Sequence, residues 1–184
     1  MATDPQTNHI LYVSGGARSG KSRYAEQRAL ALTGPRSYIA TCPVLDDEMA
    51  TRIDRHQQRR ADQGWQTIEE PADLVAALEA THDSCVVLVD CVTLWINNLL
   101  YAAETEHQTL DEDAIHRLTL QVIDAARQGQ RTVIFVSNEL GMGIVPADAL
   151  SRHYRDLIGR CNQTLAGHAD EAVLLVSGLP LALK

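Results

Sequence analysis

The stretch ILYVSGGARSGKS, residues 10–22, joins a short apolar run to a glycine-rich turn. Residues 15–22 match the whole G-x-x-x-x-G-K-[ST] pattern, and a helix-compatible stretch from Ser22 to Leu32 follows. In this context a buried strand leads into a turn and then into a helix, whose first N–H groups are free to bind an anion. The pattern therefore predicts a phosphate-binding loop that takes a nucleotide.

Each residue type in this loop has a physical task. The glycines let the backbone pass close to phosphate, Lys21 is expected to reach the β- and γ-phosphates, and the Ser22 hydroxyl is expected to bind Mg²⁺. The alternative is a chance glycine turn, which the strand before and the helix after disfavour. We predict that Lys21 is catalytic, that Ser22 is a metal ligand, and that the whole loop binds nucleotide; its residues are Gly15, Gly16, Ala17, Arg18, Ser19, Gly20, Lys21 and Ser22.

The composition is ordinary for a globular protein. The 184 residues are 45% hydrophobic and 22% charged, with a net charge of −8. The negative charge disfavours a general nucleic-acid-binding protein, and no apolar run is long enough to span a bilayer. The four cysteines form no C-x-x-C pair, which favours reduced thiols and a cytoplasmic location. We predict a flexible tail over residues 1–8 and a single nucleotide-binding domain over residues 9–184.

Short β-rich runs alternate with helical segments along the chain. The five runs are His9–Ser14, Ser37–Thr41, Cys85–Asp90, Thr132–Ser137 and Ala172–Ser177. They are continuously apolar, which is typical of strands covered on both faces. One helix is predicted to begin at a capping box, Thr109 to Glu112, and another at Pro146, with Leu150 among its inward residues. The alternation predicts an α/β fold with a mainly parallel sheet flanked by helices.

Two further segments carry side chains suited to phosphate chemistry. The apolar run from Val86 to Val89 ends in Asp90, which is expected beside Mg²⁺ at the carboxyl end of a core strand. Residues 46–60 are predicted to form a helix on which His56 lies among Arg52, Arg55 and Arg59. Guanidinium groups bind phosphate oxygens with paired hydrogen bonds. The His56 imidazole could therefore bind phosphate, attack it as a nucleophile, or be an ordinary surface histidine.

The segment SNELGMGIVP, residues 137–146, follows the fourth predicted strand. Ligands of open α/β sheets bind beyond the carboxyl ends of the strands. Asn138, Glu139 and the two glycines there predict a loop that contacts substrate; the alternative is an ordinary turn leading into a helix.

Together these segments resemble a known family, the bifunctional adenosylcobinamide kinase / adenosylcobinamide-phosphate guanylyltransferases. The shared motifs are GGARSGKSRYAE (15–26), YIATCPVLDDEMATR (38–52), the step from Arg52-Ile53 to His56, VDCVTLWINNLL (89–100), SNELGMGIVP (137–146) and RHYRD (152–156). They extend over nearly the whole chain after the tail. The phosphate loop is generic, whereas the segments around residues 45–56 and 137–146 are far more specific to the family.

The resemblance implies two reactions. A nucleoside triphosphate phosphorylates adenosylcobinamide, and GTP then transfers GMP to that phosphate through a guanylyl-histidine intermediate, giving adenosylcobinamide-GDP and pyrophosphate. The resemblance also implies a RecA-like phosphate-loop fold, Mg²⁺, GTP and/or ATP as substrates, a corrinoid acceptor and a homotrimer. By position His56 matches the nucleophile. Further matching nucleotide-binding positions are Ala40, Thr41, Cys42, Gln57, Gln58, Arg59, Arg60, Glu69 and Asp90, the last also as a metal ligand.

One position departs from the family pattern. Some relatives carry two adjacent histidines where this chain has Arg55 and His56. The intact spacing from Arg52 favours His56 as the nucleophile. Two other functions stay open at this point: a small-molecule kinase without guanylyl transfer, and a nucleotide-dependent switch, which would need neither His56 nor the 137–146 loop.

Overall fold

The computed structural model describes residues 8–43 and 63–184. Within these ranges the chain forms one seven-stranded sheet with helices packed on it. The strands are β1 (His9–Gly15), β2 (Arg36–Ala40), β3 (Trp65–Glu69), β4 (Val86–Asp90), β5 (Thr132–Asn138), β6 (Glu171–Val176) and β7 (Leu179–Ala182). The helices are α1 (Lys21–Leu30), α2 (Leu74–Ala80), α3 (Val92–Thr105), α4 (Glu112–Ala126) and α5 (Ala149–His168).

The strand order places the carboxyl ends of β4, β5 and β1 side by side. The order is β3-β2-β4-β5-β1-β6-β7, with six parallel strands and β7 antiparallel to β6. Gly15 at the end of β1 pairs with Asn138 of β5 on one side and with Leu175 of β6 on the other. Asp90 at the end of β4 lies across β5 from β1. The phosphate loop and Asp90 are therefore two strand spacings apart, about 10 Å.

Both faces of the sheet are covered, which explains the continuous apolar runs of the strands. On one face Val87 and Phe135 pack against the buried sides of α2, α3, α4 and α5. On the other face Leu88 packs with Ala25 and Ala29 of α1. Among the described residues, no helix is long and apolar enough to cross a membrane.

The five predicted strands are present, and the mainly parallel α/β fold is confirmed. Sequence reasoning missed β3 and β7, which form the two outer edges of the sheet. Edge strands bury less surface, so their apolar pattern is weak. In β3 two residues are half-buried and three are exposed, and in β7 all four residues are exposed, including Pro180. Proline is tolerated there because an edge strand leaves some backbone N–H groups without a ladder partner.

Two helices begin later than predicted because an aspartate caps each one. The predicted cap Thr109 lies outside α4, since the Asp111 carboxylate accepts a hydrogen bond from Ala114 N at 2.7 Å. Asp148 likewise accepts from Ser151 N at 2.7 Å, so α5 begins three residues later than its predicted start. In both cases the side chain nearest the first turn satisfies its free N–H groups.

Candidate active site

The phosphate loop runs from the end of β1 to the start of α1, as predicted. Gly16, Ala17 and Arg18 are exposed at its tip, whereas Gly15 is buried. A Cβ added to Gly15 would lie 2.5 Å from Ser19 Oγ and 2.7 Å from the carbonyl oxygen of Leu175. Only glycine fits between the loop and β6 at this point, so the first glycine of the motif allows the loop to turn against the sheet.

The turn between β6 and β7 packs against the phosphate loop and hydrogen-bonds to it. Gly178 N donates a hydrogen bond to the carbonyl oxygen of Ser19 at 2.9 Å. Gly178 and Gly20 have φ values of +83° and +94°, in the left-handed region that favours glycine. A Cβ on Gly20 would lie 3.4 Å from Gly178 Cα. Sequence reasoning missed Gly178, although a Ser-Gly pair between apolar runs is typical of a hairpin turn.

Lys21 lies back over the loop. Its Nζ donates to the carbonyl oxygen of Gly16 at 3.2 Å, and the residue is half-buried. Burial and, to a smaller extent, the Asp90 carboxylate raise the pKa of the Cys91 thiol to about 11, and the Lys21 ammonium opposes this rise. The charges of Lys21 and Asp90 thus act on the same point, where β4 leads into α3.

Asp90 is half-buried at the end of β4 and is held by a neighbouring strand. Its Oδ2 accepts a hydrogen bond from the Tyr38 hydroxyl of β2 at 3.0 Å. The Tyr38 ring makes an edge-to-face contact with Trp65 of β3, with ring centroids 6.1 Å apart. The carboxylate is therefore fixed at the edge of the sheet that carries the phosphate loop.

Thr41, the residue after β2, holds the turn after β4 through hydrogen bonds. The buried Thr41 hydroxyl donates to the carbonyl oxygen of Cys91 at 2.8 Å and accepts from Cys91 N at 2.9 Å. The carbonyl oxygens of Thr41 and Pro71 both accept from Asn98 Nδ2 of α3, at 2.8 and 2.9 Å. The Thr41 side chain thus positions Cys91. That Ala40, Thr41 and Cys42 contact nucleotide stays a prediction.

A buried polar network fixes the end of β5. Asn138 N donates to Thr93 Oγ1 at 2.7 Å, and Asn162 Nδ2 of α5 donates to the carbonyl oxygen of Asn138 at 3.0 Å. Ser137 Oγ donates to Asn162 Oδ1 at 2.6 Å, and the Tyr154 hydroxyl donates to the Thr93 carbonyl at 2.9 Å. Satisfied buried networks of this kind make a site rigid. The signal for Asn162 was a polar residue on the apolar face of a helix.

Glu139 begins the loop after β5 and touches the phosphate loop through the backbone. Its N–H donates to the carbonyl oxygen of Gly15 at 3.1 Å. Its Oε1 accepts from Gly141 N at 2.9 Å. The side chain is half-buried and sits one strand away from β1.

The sequence model of a family described as cobinamide kinase / cobinamide phosphate guanyltransferase matches residues 11–183. This chain belongs to that family. It is 43% identical over 186 residues to the bifunctional adenosylcobalamin biosynthesis protein CobU of Escherichia coli (strain K12), covering 95% of this chain and 99% of that protein. It is 40% identical over 174 residues to the protein CobP of the same description from Pseudomonas aeruginosa, covering 94% of this chain and 95% of that protein.

The fold also resembles a protein of distant sequence. The flagellar accessory protein FlaH from Methanocaldococcus jannaschii superposes with a TM-score of 0.56 at 13% identity, covering 98% of this chain and 80% of that one. Family membership confirms the predicted enzyme class, a kinase and guanylyltransferase that acts on a corrinoid with nucleoside triphosphates. The two alternatives left open by the sequence, a kinase without guanylyl transfer and a nucleotide-dependent switch, do not match the description of this family as both kinase and guanyltransferase.

Apart from Ala40, Thr41 and Cys42, which lie at and just after the end of β2, the predicted site residues of this cobinamide kinase / guanyltransferase chain fall into three groups. The loop residues 15–22 and Asp90 both lie at the carboxyl ends of central strands, on the same side of the sheet. Glu69 is exposed at the end of β3, four strand spacings from β1, or about 19 Å. At that distance Glu69 is too far to touch a phosphate in the loop. The predicted helix of residues 46–60 lies outside the described residues, and with it His56, Gln57, Gln58, Arg59 and Arg60.

Ser22 and Asp90 are the side chains that could hold Mg²⁺ in this family member. Over residues 8–43 and 63–184, no group of three or more His, Cys, Asp or Glu side chains is placed to hold a metal ion. Mg²⁺ is commonly held by one or two carboxylates together with substrate phosphates and water. A single fixed carboxylate beside a phosphate loop fits that pattern, because the phosphates supply the remaining oxygens.

Proposed function

We propose that this enzyme phosphorylates adenosylcobinamide with a nucleoside triphosphate held by residues 15–22, and then transfers GMP from GTP to the new phosphate through a covalent intermediate on His56. One observation carries the proposal. A complete phosphate loop, framed by β1, α1 and the Gly178 turn, lies beside Asp90 in a member of the cobinamide kinase / guanyltransferase family.

In the first reaction the loop positions the triphosphate. Free N–H groups at the start of α1 face the phosphates, and Lys21 moves from the Gly16 carbonyl to a phosphate oxygen when nucleotide binds. Ser22 and Asp90 would hold Mg²⁺, and the ion would neutralise charge on the phosphates. Tyr38 keeps the Asp90 carboxylate in place for this task.

In the second reaction a neutral imidazole of His56 attacks the α-phosphorus of GTP. A nitrogen–phosphorus bond forms, the bond from the α-phosphorus to its bridging oxygen breaks, and pyrophosphate leaves. An oxygen of adenosylcobinamide phosphate then attacks the same phosphorus and releases His56. The arginines at 52, 55 and 59 are suited to the charge of the phosphates.

The experiment that tests this proposal uses labelled GTP. GTP labelled at the α-phosphorus should leave an acid-labile, base-stable label on the peptide that contains His56, and γ-labelled GTP should leave none. His56→Ala should abolish labelling and guanylyl transfer while largely sparing phosphorylation, which needs no enzyme nucleophile. His82→Ala, at an exposed histidine beside Asp83, is the matched control and should label as the wild type does. Labelling that survives in His56→Ala would place the nucleophile elsewhere.

We extend the proposal to the assembly and the setting of the enzyme. Residues 9–184 act as one nucleotide-binding domain behind a tail of residues 1–8, in a homotrimer in the cytoplasm. The four cysteines are free thiols, which supports a reducing compartment. Light scattering in solution tests the trimer, which requires three times the 20.2 kDa mass of the chain; a monomer mass would rule it out.

A further inference from the structure

Transfer of a phosphoryl group to a hydroxyl requires a group that takes the hydroxyl proton. The residues assigned so far leave this task open. Lys21 is a cation, and Ser22 and Asp90 are committed to Mg²⁺. A carboxylate close to the γ-phosphate position is the side chain best suited to accept the proton.

Four carboxylates lie at or just after the carboxyl ends of the described strands, on Glu69, Glu70, Asp90 and Glu139. Glu70 is as far from the phosphate loop as its neighbour Glu69, and its Oε1 accepts from Ala72 N and Asp73 N. Glu69 is four strand spacings from the phosphate loop, and Asp90 is two spacings away and tied to Tyr38. Glu139 directly follows β5, the strand next to β1, and its own N–H donates to the carbonyl oxygen of Gly15 at 3.1 Å. Among the described strand ends, Glu139 is therefore the carboxylate-bearing residue in direct contact with the loop.

The Glu139 carboxylate is held in a way that suits a base. Gly141 N donates to Oε1 at 2.9 Å, and a Cβ added to Gly141 would lie only 3.0 Å from that oxygen, so glycine permits the close approach. One oxygen is thus oriented by a backbone N–H, and the residue is half-buried, so part of its surface stays open to a bound molecule. The Asn138 network beneath it fixes the backbone from which the side chain leaves. A base on a rigid strand end meets the geometric demand of proton transfer.

We propose that Glu139 is the general base of the phosphoryl-transfer step. The acceptor hydroxyl oxygen forms a bond to the γ-phosphorus, and the bond from that phosphorus to the β–γ bridging oxygen breaks. The hydroxyl proton passes to the Glu139 carboxylate, and the nucleoside diphosphate leaves. Guanylyl transfer needs no such base, because its attacking atoms are a neutral ring nitrogen and a phosphate oxyanion. The inference rests on residues 15–22 being the kinase site.

Glu139→Gln tests the proposal because it keeps the size of the side chain and an oxygen for Gly141. The kcat of corrinoid phosphorylation should fall about 10²- to 10⁴-fold, the range typical of a lost general base. Self-labelling by α-labelled GTP should stay within about twofold of the wild type, which also shows that the variant folds and binds nucleotide. Glu79→Gln, at an exposed position on α2, is the matched control and should leave both rates unchanged.

The pH profile separates a base from a structural residue. The wild-type phosphorylation rate should decline on the acid side as the base becomes protonated, and the Gln variant should lack that decline. Glu139→Asp, which keeps a carboxylate on a shorter arm, should regain part of the rate together with the acid decline. An equal loss of phosphorylation and self-labelling in Glu139→Gln, a kcat within threefold of the wild type, or an unchanged acid decline would each overturn the proposal. A wild type that fails to self-label would instead count against His56, and the phosphorylation rates and pH profiles would still decide the role of Glu139.

Discussion

Replacing Gly15 with alanine tests how tightly the phosphate loop is seated against the sheet. The new Cβ would lie 2.7 Å from the carbonyl oxygen of Leu175, and ordinary van der Waals contact begins at 3.4 Å, so about 0.7 Å of room is missing. The Ser19 hydroxyl, at 2.5 Å, can rotate away. The Leu175 carbonyl cannot, because Leu175 pairs with Gly15 across the β1–β6 ladder. The loop itself must therefore move.

Two magnitudes follow from this displacement. Overpacking a tight site costs about 1–3 kcal/mol of unfolding free energy. Misplacing catalytic groups by about 1 Å costs on the order of 100-fold in rate. We therefore expect Gly15→Ala to lose about 1–3 kcal/mol in urea denaturation and to lower kcat/KM for phosphorylation about 100-fold.

A matched glycine replacement isolates the steric cause. At Gly159, inside α5, an added Cβ has no atom within 4 Å apart from its chain neighbours and the backbone of its own helix. Gly159→Ala should raise the unfolding free energy by about 0.5–1 kcal/mol through helix propensity, with unchanged kinase kinetics. Fluorescence of Trp65 and Trp95 reports unfolding in both variants. If Gly15→Ala keeps kcat/KM within threefold and loses less than about 0.5 kcal/mol, far below the usual cost of overpacking, then the loop is not tightly seated against β6.

Two further predictions concern stability. Arg131 is 3% exposed and donates to the carbonyl oxygens of Leu78 at 2.9 Å and Ala125 at 2.8 Å, near the ends of two helices. Arg131→Met should lower the unfolding free energy in urea by about 3 kcal/mol, because these buried acceptors lose their charged donors. A loss below about 1 kcal/mol would contradict this prediction. The Arg28 guanidinium, which donates to Glu171, holds the pKa of that carboxyl below 4.5, so the stabilisation is complete above pH 4.5 and is lost as pH falls through the lower folded-state pKa. Glu171→Gln should therefore weaken the fall of unfolding free energy with acid, and an unchanged slope would show that this pair does not contribute.

Local signals accounted for the parts of the fold that local chemistry decides. The phosphate loop and the five buried strands were predicted from the sequence because the motif and the apolar runs need no distant partner. The helix starts were predicted a few residues early, since Asp111 and Asp148 cap in place of the expected residues. Leu150, predicted to point inward, is 49% exposed because it falls in the first turn of α5 rather than on its buried face.

The rest of the site depends on contacts between distant parts of the chain. The support that Gly178 gives to Ser19, and the hold of Asn162 on Asn138, exist only once the sheet and α5 are assembled. No periodicity or motif encodes such a contact. Glu139 was recognised as part of a substrate loop, but its backbone bond to Gly15 became visible only in three dimensions.

The order in which strands become available during translation has a consequence for nucleotide binding. β2, β3 and β4 neighbour one another in the sheet and lie within residues 36–90, so they can pair early. β1 is synthesised before them, yet its partners are β5 and β6, with His9 opposite Thr132 and Leu11 opposite Glu171. A nascent chain that ends before β5 carries the phosphate-loop sequence without either strand that frames it. Nucleotide therefore cannot stabilise the folding of the first half of the chain. The chain becomes able to bind nucleotide only after β5 and β6 have been synthesised and paired with β1, as expected for a sheet of high contact order.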